Sequence, residues 1–370
     1  MTSTNDAPVR AWAAPGRVNL IGEHLDYNGG PALPFAIDRT TRLKARPRTD
    51  GRVRVWSSEA EGSVEFGVDT EPGQVDGWAG YVAGVVWACA QDGHVLPGYD
   101  LVLESDVPLG AGLSSSAALE CVVALAVRDL QGLDLTSAQV ARLAQTAEND
   151  YVGAPTGSMD QLASACCEDG HALLVDTRTE PPTLTSVPAG WDADGLAVVV
   201  VDTRAEHTHA SGEYATRRSE CEQVAELVGV EQLALAPPDA ILKVDDPVLK
   251  ARLRHVMTET TRTRAAVRAL RERQWEHLGT LLTASHVSLR DDYEVSCMEL
   301  DVAVDAALEA GAFGARMTGG GFGGSAIALV PREGVDAVVA AVEKSFAHAE
   351  LTAPRSFVVS PGRGAHEVVR

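Results

Sequence analysis

Between a strand-like run, Tyr99–Asp106, and a strongly apolar helical run, Ala117–Leu130, lies Pro108-Leu-Gly-Ala-Gly-Leu-Ser-Ser-Ser116. It sets a glycine-rich turn and three serines directly at the start of a helix, which fixes a strand–loop–helix unit. Glycines let the main chain approach an anion closely, and the first N–H groups of the helix and the hydroxyls supply donors without a lysine. The segment reads as a phosphate cradle, with a plain serine-capped helix as the alternative. It is not a Walker loop, because no G-x-x-x-x-G-K-[ST] is present, and Ser115 stands where a dinucleotide fingerprint needs its third glycine.

Charge restricts what such a cradle can hold. Lys plus Arg number 31 against 52 Asp plus Glu, a formal charge of −21, which argues against nucleic acid or an anionic membrane as partner. A nucleotide polyanion would be bound against the field of the whole protein, so local amides, a metal ion and a few placed arginines must do it. The six cysteines contain no C-x-x-C pair and read as buried free thiols in a reducing cytosol. The N-terminus lacks the basic-then-apolar order of a signal peptide, and no apolar run reaches the roughly 20 residues of a membrane span.

Two further segments carry polar groups in unusual density. Gly16-Arg-Val-Asn-Leu-Ile-Gly-Glu-His-Leu-Asp-Tyr-Asn-Gly-Gly30 sets Arg17, Glu23, His24 and Asp26 beside Val18, Leu20 and Ile21. Such side chains resist burial unless paired, which points to a polar, hydroxyl-rich ligand; a solvated turn is the alternative. Met317-Thr-Gly-Gly-Gly-Phe-Gly-Gly324 contains a formal G-x-G-x-x-G, but a strand rather than a helix follows, so it is no dinucleotide turn. Its glycines imply a close approach to a ligand or another loop, against the alternative of a linker. Asp160, in Gly157-Ser-Met-Asp-Gln161, is expected to be partly buried, as a functional carboxylate or as the cap of a helix starting at Gln161.

Coarse patterning gives a β-rich section over Ala11–Phe66, helices at Trp78–Ala90 and after Thr136 or Ser137, and a strand at His171–Asp176. A proline- and glycine-bearing stretch, Thr177–Ala193, is the expected domain boundary, giving domains 1–185 and 186–370. Strand Leu196–Asp202, helices near 214–228, 250–272, 274–290 and 296–310, strand Ser325–Val330, helix 334–348 and strand Ser356–Ser360 follow. This order predicts an α+β fold of two domains with mixed or antiparallel sheets. It leaves open which domain takes the last strand.

Together the three motifs resemble the galactokinase branch of the GHMP kinase superfamily. G-R-V-N-L-I-G-E-H-x-D-Y-N-G-G is similar to the galactokinase signature, while P-L-G-A-G-L-S-S-S-A and M-T-G-G-G-F-G-G are similar to superfamily motifs. The resemblance implies a two-domain GHMP fold with its active site in the cleft, transferring the γ-phosphate of ATP to the C1 hydroxyl of galactose. It implies Glu23, His24, Leu25, Asp26 and Tyr214 around the sugar, Asp160 as the catalytic carboxylate and Arg17 as its partner. Gly110, Ala111, Gly112, Leu113, Ser114, Ser115 and Ser116 would hold the triphosphate, Ser57 and Trp78 would lie near the adenosine, and Ser116 with Glu148 would ligate Mg²⁺. A cytoplasmic monomer or weak homodimer is expected. Asp160 is either a full base or an orienting group. Leu25 and His209 depart from the family pattern, and Leu25, where threonine is usual, is expected to affect the sugar range. The alternatives are a GHMP kinase for arabinose, N-acetylgalactosamine or mevalonate, and a non-catalytic galactose sensor, in which the serine-rich loop is damaged; here it is intact.

Overall fold

The computed structural model describes residues 8–205 and 210–369, so His209 lies outside the described residues. The first half is built on a six-stranded sheet whose spatial order is β13 (His366–Glu367), β1 (Arg10–Asn19), β3 (Pro34–Pro47), β6 (Tyr99–Ser105), β4 (Arg52–Ser57) and β5 (Ser63–Gly67). Alternation explains its two faces: in β4, Val53 and Val55 are buried while Arg54 and Trp56 face out. Four helices cover the inner face: α1 (Trp78–Gln91), α2 (Ser115–Gln131), α3 (Ser137–Thr146) and α4 (Met159–Cys166). Helix α2 is sandwiched, which is why ten of its residues from Ala117 to Val127 are buried, and Gly132 ends it in the left-handed conformation. Thr136 and Gln139 form a reciprocal capping box on α3.

A four-stranded antiparallel sheet organises the second half, in the order β10 (Gly314–Thr318), β11 (Ser325–Pro331), β9 (Leu196–Asp202) and β12 (Arg355–Val359). Strand β9 is buried at every position and works both faces. Val199 and Val201 join the core under α5 (Ala210–Val228), α6 (Pro247–Arg271), α8 (Met298–Glu309) and α9 (Val335–His348). Val198 and Val200 join a separate core with Val18, Leu20, Phe35, Leu113 and Trp191, so residues of both halves share one apolar layer. Helix α7 (Trp275–Asp291) lies on β10.

Three expectations are refined. The small sheet β2 (Pro31–Ala32), β7 (His171–Asp176) and β8 (Thr183–Pro188) places a paired strand across residue 185, so the expected division there falls inside β8. The last long strand pairs with β9 in the second sheet, after which the chain returns to the first: Pro361 bridges Ile37 and β13 pairs with β1. Asp160 does not cap α4, which begins at Met159 with Ser158 as its N-cap; the Asp160 carboxylate is engaged elsewhere.

Helix α7 meets β10 at glycine on both sides. A Cβ on Gly279 would lie 2.1 Å from the Phe313 carbonyl oxygen, so Gly279→Ala must push the helix off the sheet. We expect a loss of about 1–3 kcal/mol in chemical denaturation. Gly212→Ala, with nothing within 4 Å of the added carbon, should be neutral or stabilising by about 0.5–1 kcal/mol.

Candidate active site

Arg17 sits in β1 immediately after a register shift against β3, and such an irregularity re-aims the side chain that follows. Its guanidinium is 4% exposed and binds Asp160 with two parallel bonds, Nε to Oδ1 at 2.8 Å and Nη2 to Oδ2 at 2.9 Å. Nη1 donates to the Gly112 carbonyl at 2.6 Å. The glycine–serine loop closes on the same pair, because Ser114 holds a left-handed conformation (φ 58°) and its hydroxyl donates to Asp160 Oδ2 at 2.6 Å. The third glycine motif packs behind: a Cβ on Gly319 would approach the Gly112 carbonyl oxygen to 2.9 Å, and the Ser325 hydroxyl donates to the Ala111 carbonyl at 2.7 Å. The close approach expected of these glycines is therefore to the serine-rich loop.

A pocket of about 180 Å³ opens beside Asp160, lined by Arg17, Glu23, His24, Asp26, Tyr214 and Gly320, together with Thr156 and Gly157. That is small against the roughly 300–1,000 Å³ of drug-sized sites and suits one small polar molecule. Glu23 is clamped by Arg316 and accepts the Gly319 N–H at 3.1 Å. His24, at φ 61°, contacts Tyr27 Oη through Nδ1 at 2.8 Å and the Gly320 carbonyl through Nε2 at 3.2 Å. Burial, with His255 nearby, lowers its pKa to about 3, so the ring is neutral. Burial and the adjacent Asp160 charge raise the Asp26 pKa to about 6. Burial also keeps Tyr214 a neutral phenol.

Behind the loop, Glu148 stands in a π-helical turn, Ala147–Val152, and is 5% exposed. Ser116, Thr156 and Gln161 all donate to its carboxyl group, the last two at 2.8 and 2.7 Å. Among the described residues no group of three or more His, Cys, Asp or Glu could hold a metal by itself. One hydroxyl and one carboxylate nevertheless form an all-oxygen pair at the start of α2, the donor set a hard cation accepts when a substrate's phosphates complete its shell.

Of the expected residues, Arg17, Glu23, His24, Asp26, Asp160 and Tyr214 line one pocket; Ser114 bonds Asp160 and Glu148 bonds Thr156 of that lining, with Ser116 behind on Glu148. Gly110 to Ser115 form the loop itself, with open space around a Cβ built on Gly110. Leu25 is a correction: it is fully buried in the second core beside Gly30 and does not line the pocket. Ser57 is buried at the end of β4 with its hydroxyl accepting the Glu59 N–H, and Trp78 begins α1, packed on the first core. The sequence reading missed Arg316, whose signal was a lone arginine within an otherwise apolar strand, and missed Thr156, Gly157 and Gln161, all within the stretch that carries Asp160.

Residues 2–47 match the galactokinase galactose-binding signature, residues 80–168 the GHMP kinases N terminal domain and residues 266–348 the GHMP kinases C terminal family. The chain is 50% identical to the galactokinase of Streptomyces coelicolor over 98% of this chain and 95% of that one. It is 46% identical to the galactokinase of Mycobacterium tuberculosis, over 87% of this chain and 89% of that one. The structure of Lactococcus lactis galactokinase complexed with galactose superposes with a TM-score of 0.93 at 32% identity, covering 99% and 96% of the two chains. A mevalonate kinase of L. major shares the fold, with a TM-score of 0.66 at 21% identity over 98% of each chain.

Two outcomes follow from the buried charges. Arg316→Met leaves Glu23 unpaired in the interior and is expected to cost about 3–5 kcal/mol by denaturant titration. Asp26 releases its proton near pH 6 when folded but near 3.8 when unfolded, so the folded state holds the extra proton between these values. Stability should therefore fall as pH rises from about 4 to 6, by about 1–3 kcal/mol given the partial opening of Asp26 to the pocket. Asp26→Asn removes this slope and should be more stable than the parent at pH 7; an unchanged melting-temperature profile contradicts it.

Proposed function

The chain belongs to the galactokinase family of GHMP kinases, and from that premise we propose which of its groups carry the transfer of phosphate from ATP to the sugar. It is an ATP-dependent sugar kinase acting on galactose, with the C1 hydroxyl as acceptor and galactose 1-phosphate and ADP as products. The observation that carries the assignment is the Arg17–Asp160–Ser114 cluster, which joins the wall of the small polar pocket to the loop at the start of α2.

Glu23, His24, Asp26 and Tyr214 grip the hexose, leaving its C1 hydroxyl against Asp160. The Asp160 carboxylate already accepts three hydrogen bonds from Arg17 and Ser114, which fix its position and suit it to orienting the hydroxyl in line. Phosphoryl transfer through a loose transition state needs positioning and charge neutralisation more than a strong base. Arg17 then also offsets negative charge as the phosphoryl group arrives. The N–H groups of Gly110 to Ser116 and the N-terminus of α2 hold the triphosphate, with Ser57 and Trp78 on the adenosine side. Ser116 and Glu148 would hold Mg²⁺, which when bound neutralises phosphate oxygens. Six free cysteines fit a reducing cytoplasm, and among the described residues no helix is long and apolar enough to cross a membrane. The protein works as a monomer or weak homodimer.

Coupled ADP release with galactose and Mg·ATP, beside a panel of other hexoses, arabinose, N-acetylgalactosamine and mevalonate, tests the reading. Galactose should give the highest kcat/KM. Asp160→Ala should lower turnover about 10²–10⁴-fold while calorimetry still detects galactose binding in weakened form. Parental turnover in that variant refutes the role given to Asp160.

A further inference from the structure

Behind His24 lies a buried chain of polar side chains that phosphoryl transfer does not use. The Tyr27 hydroxyl is 2.8 Å from His24 Nδ1 and 2.9 Å from the Tyr293 hydroxyl, which in turn is 3.0 Å from Cys221 Sγ. Tyr293 and Cys221 are at most 1% exposed. The far end of the chain fixes its direction. His24 Nε2 faces the Gly320 carbonyl oxygen at 3.2 Å, and a carbonyl can only accept, so the imidazole proton sits on Nε2. In a neutral ring Nδ1 is then an acceptor, and Tyr27 must donate to it. Having spent its proton, the Tyr27 oxygen accepts from Tyr293, whose oxygen is left to accept from the Cys221 thiol.

We propose that Tyr27 and Tyr293 are positioning residues: a one-way chain of hydrogen bonds from Cys221 through both phenols into Nδ1 locks His24 as the Nε2-protonated tautomer, and so fixes what the hexose pocket presents at that wall. The proposal rests on the reading of the pocket as the sugar site. Two more contacts support a built device. The Asn28 amide donates to the His24 carbonyl at 2.7 Å, holding a residue whose φ of 61° is uncommon outside glycine. The His255 ring packs on Tyr293 with centroids 4.4 Å apart, and Tyr293 lies 4.8 Å from His24. The His24 ring then turns an N–H, and no ring lone pair, toward this wall, where that N–H is shared with the Gly320 carbonyl. The same N–H, aimed at Gly320, couples the sugar signature to the third glycine motif.

Long-range ¹H–¹⁵N spectra of the ligand-free, ¹⁵N-labelled protein near pH 7 read the tautomer of each imidazole, with the His24 signals identified by their loss in His24→Gln. His24 should be protonated at Nε2 and bare at Nδ1. Tyr27→Phe keeps the ring packing but removes the donor. It should populate the Nδ1-protonated form and raise the KM for galactose roughly three- to tenfold, the worth of one hydrogen bond, with kcat and the KM for ATP nearly unchanged. Tyr293→Phe should shift both readouts the same way by less. Nδ1 protonation in the parent protein, or a Tyr27→Phe variant with parental tautomer and galactose KM, overturns the proposal. A parental galactose KM in His24→Gln would refute the sugar-site role of His24; the spectral signature of the chain would survive, but its bearing on hexose binding would be overturned.

Discussion

Arg17 ties its own strand to two separate pieces of chain at one point. Its two parallel bonds take Asp160 from the start of α4, its third donor takes the Gly112 carbonyl of the serine-rich loop, and its own main-chain N–H donates to the Leu113 carbonyl at 3.0 Å. A guanidinium 4% exposed can persist only if its charge is matched, and Asp160 matches it. The consequence is geometric. The Asp160 carboxylate and the serine-rich loop are set against each other by one planar group.

Around that point the protein concentrates fixed donors within a strongly negative whole. With a formal charge of −21, long-range attraction cannot bring a nucleotide in, so affinity must come from groups at contact distance. Main-chain N–H groups at a helix start serve this purpose because they need no neutralising partner and cannot swing away. Two buried acids lie behind them. Thr156, Gln161 and Ser116 all donate to Glu148, and burial favours the neutral form of Glu120. The small polar pocket uses a different device. There Glu23 is tied to Arg316, and Asp26 is raised to about 6, leaving a rigid set of acceptors and shared protons suited to hydroxyl groups.

Much of this was legible in the residues, and the limits have physical causes. Local period and capping chemistry placed α1, α2, β9 and the start of α3 within two residues, because each is decided by its own neighbours: Gly132 ends α2, Thr136 caps α3, and β-branched residues fill β9. Spatial order was not legible. Strand β4 forms a hairpin with β5 yet runs parallel beside β6, a pairing set by long-range packing. Strand β13 escaped because two residues carry no period to read, and β10 because Gly314 and Arg316 interrupt its apolar pattern. The alternative role of Asp160 as a cap could not be excluded from the residues alone, because it falls one position after the start of α4. Leu25 shows the converse error. It sits among pocket residues in sequence, but the left-handed turn at His24 sends it into the second core.

Transfer of phosphate to the sugar requires Asp160 and the serine-rich loop to face one reaction centre. A structure of the protein with galactose and a non-hydrolysable ATP analogue measures this directly. The C1 hydroxyl should lie within about 2.6–3.2 Å of an Asp160 carboxylate oxygen, with the γ-phosphate against the amides of Gly110 to Ser116 on the hydroxyl's far side. A sugar seated with C1 turned from Asp160, or a triphosphate held away from that loop, contradicts it.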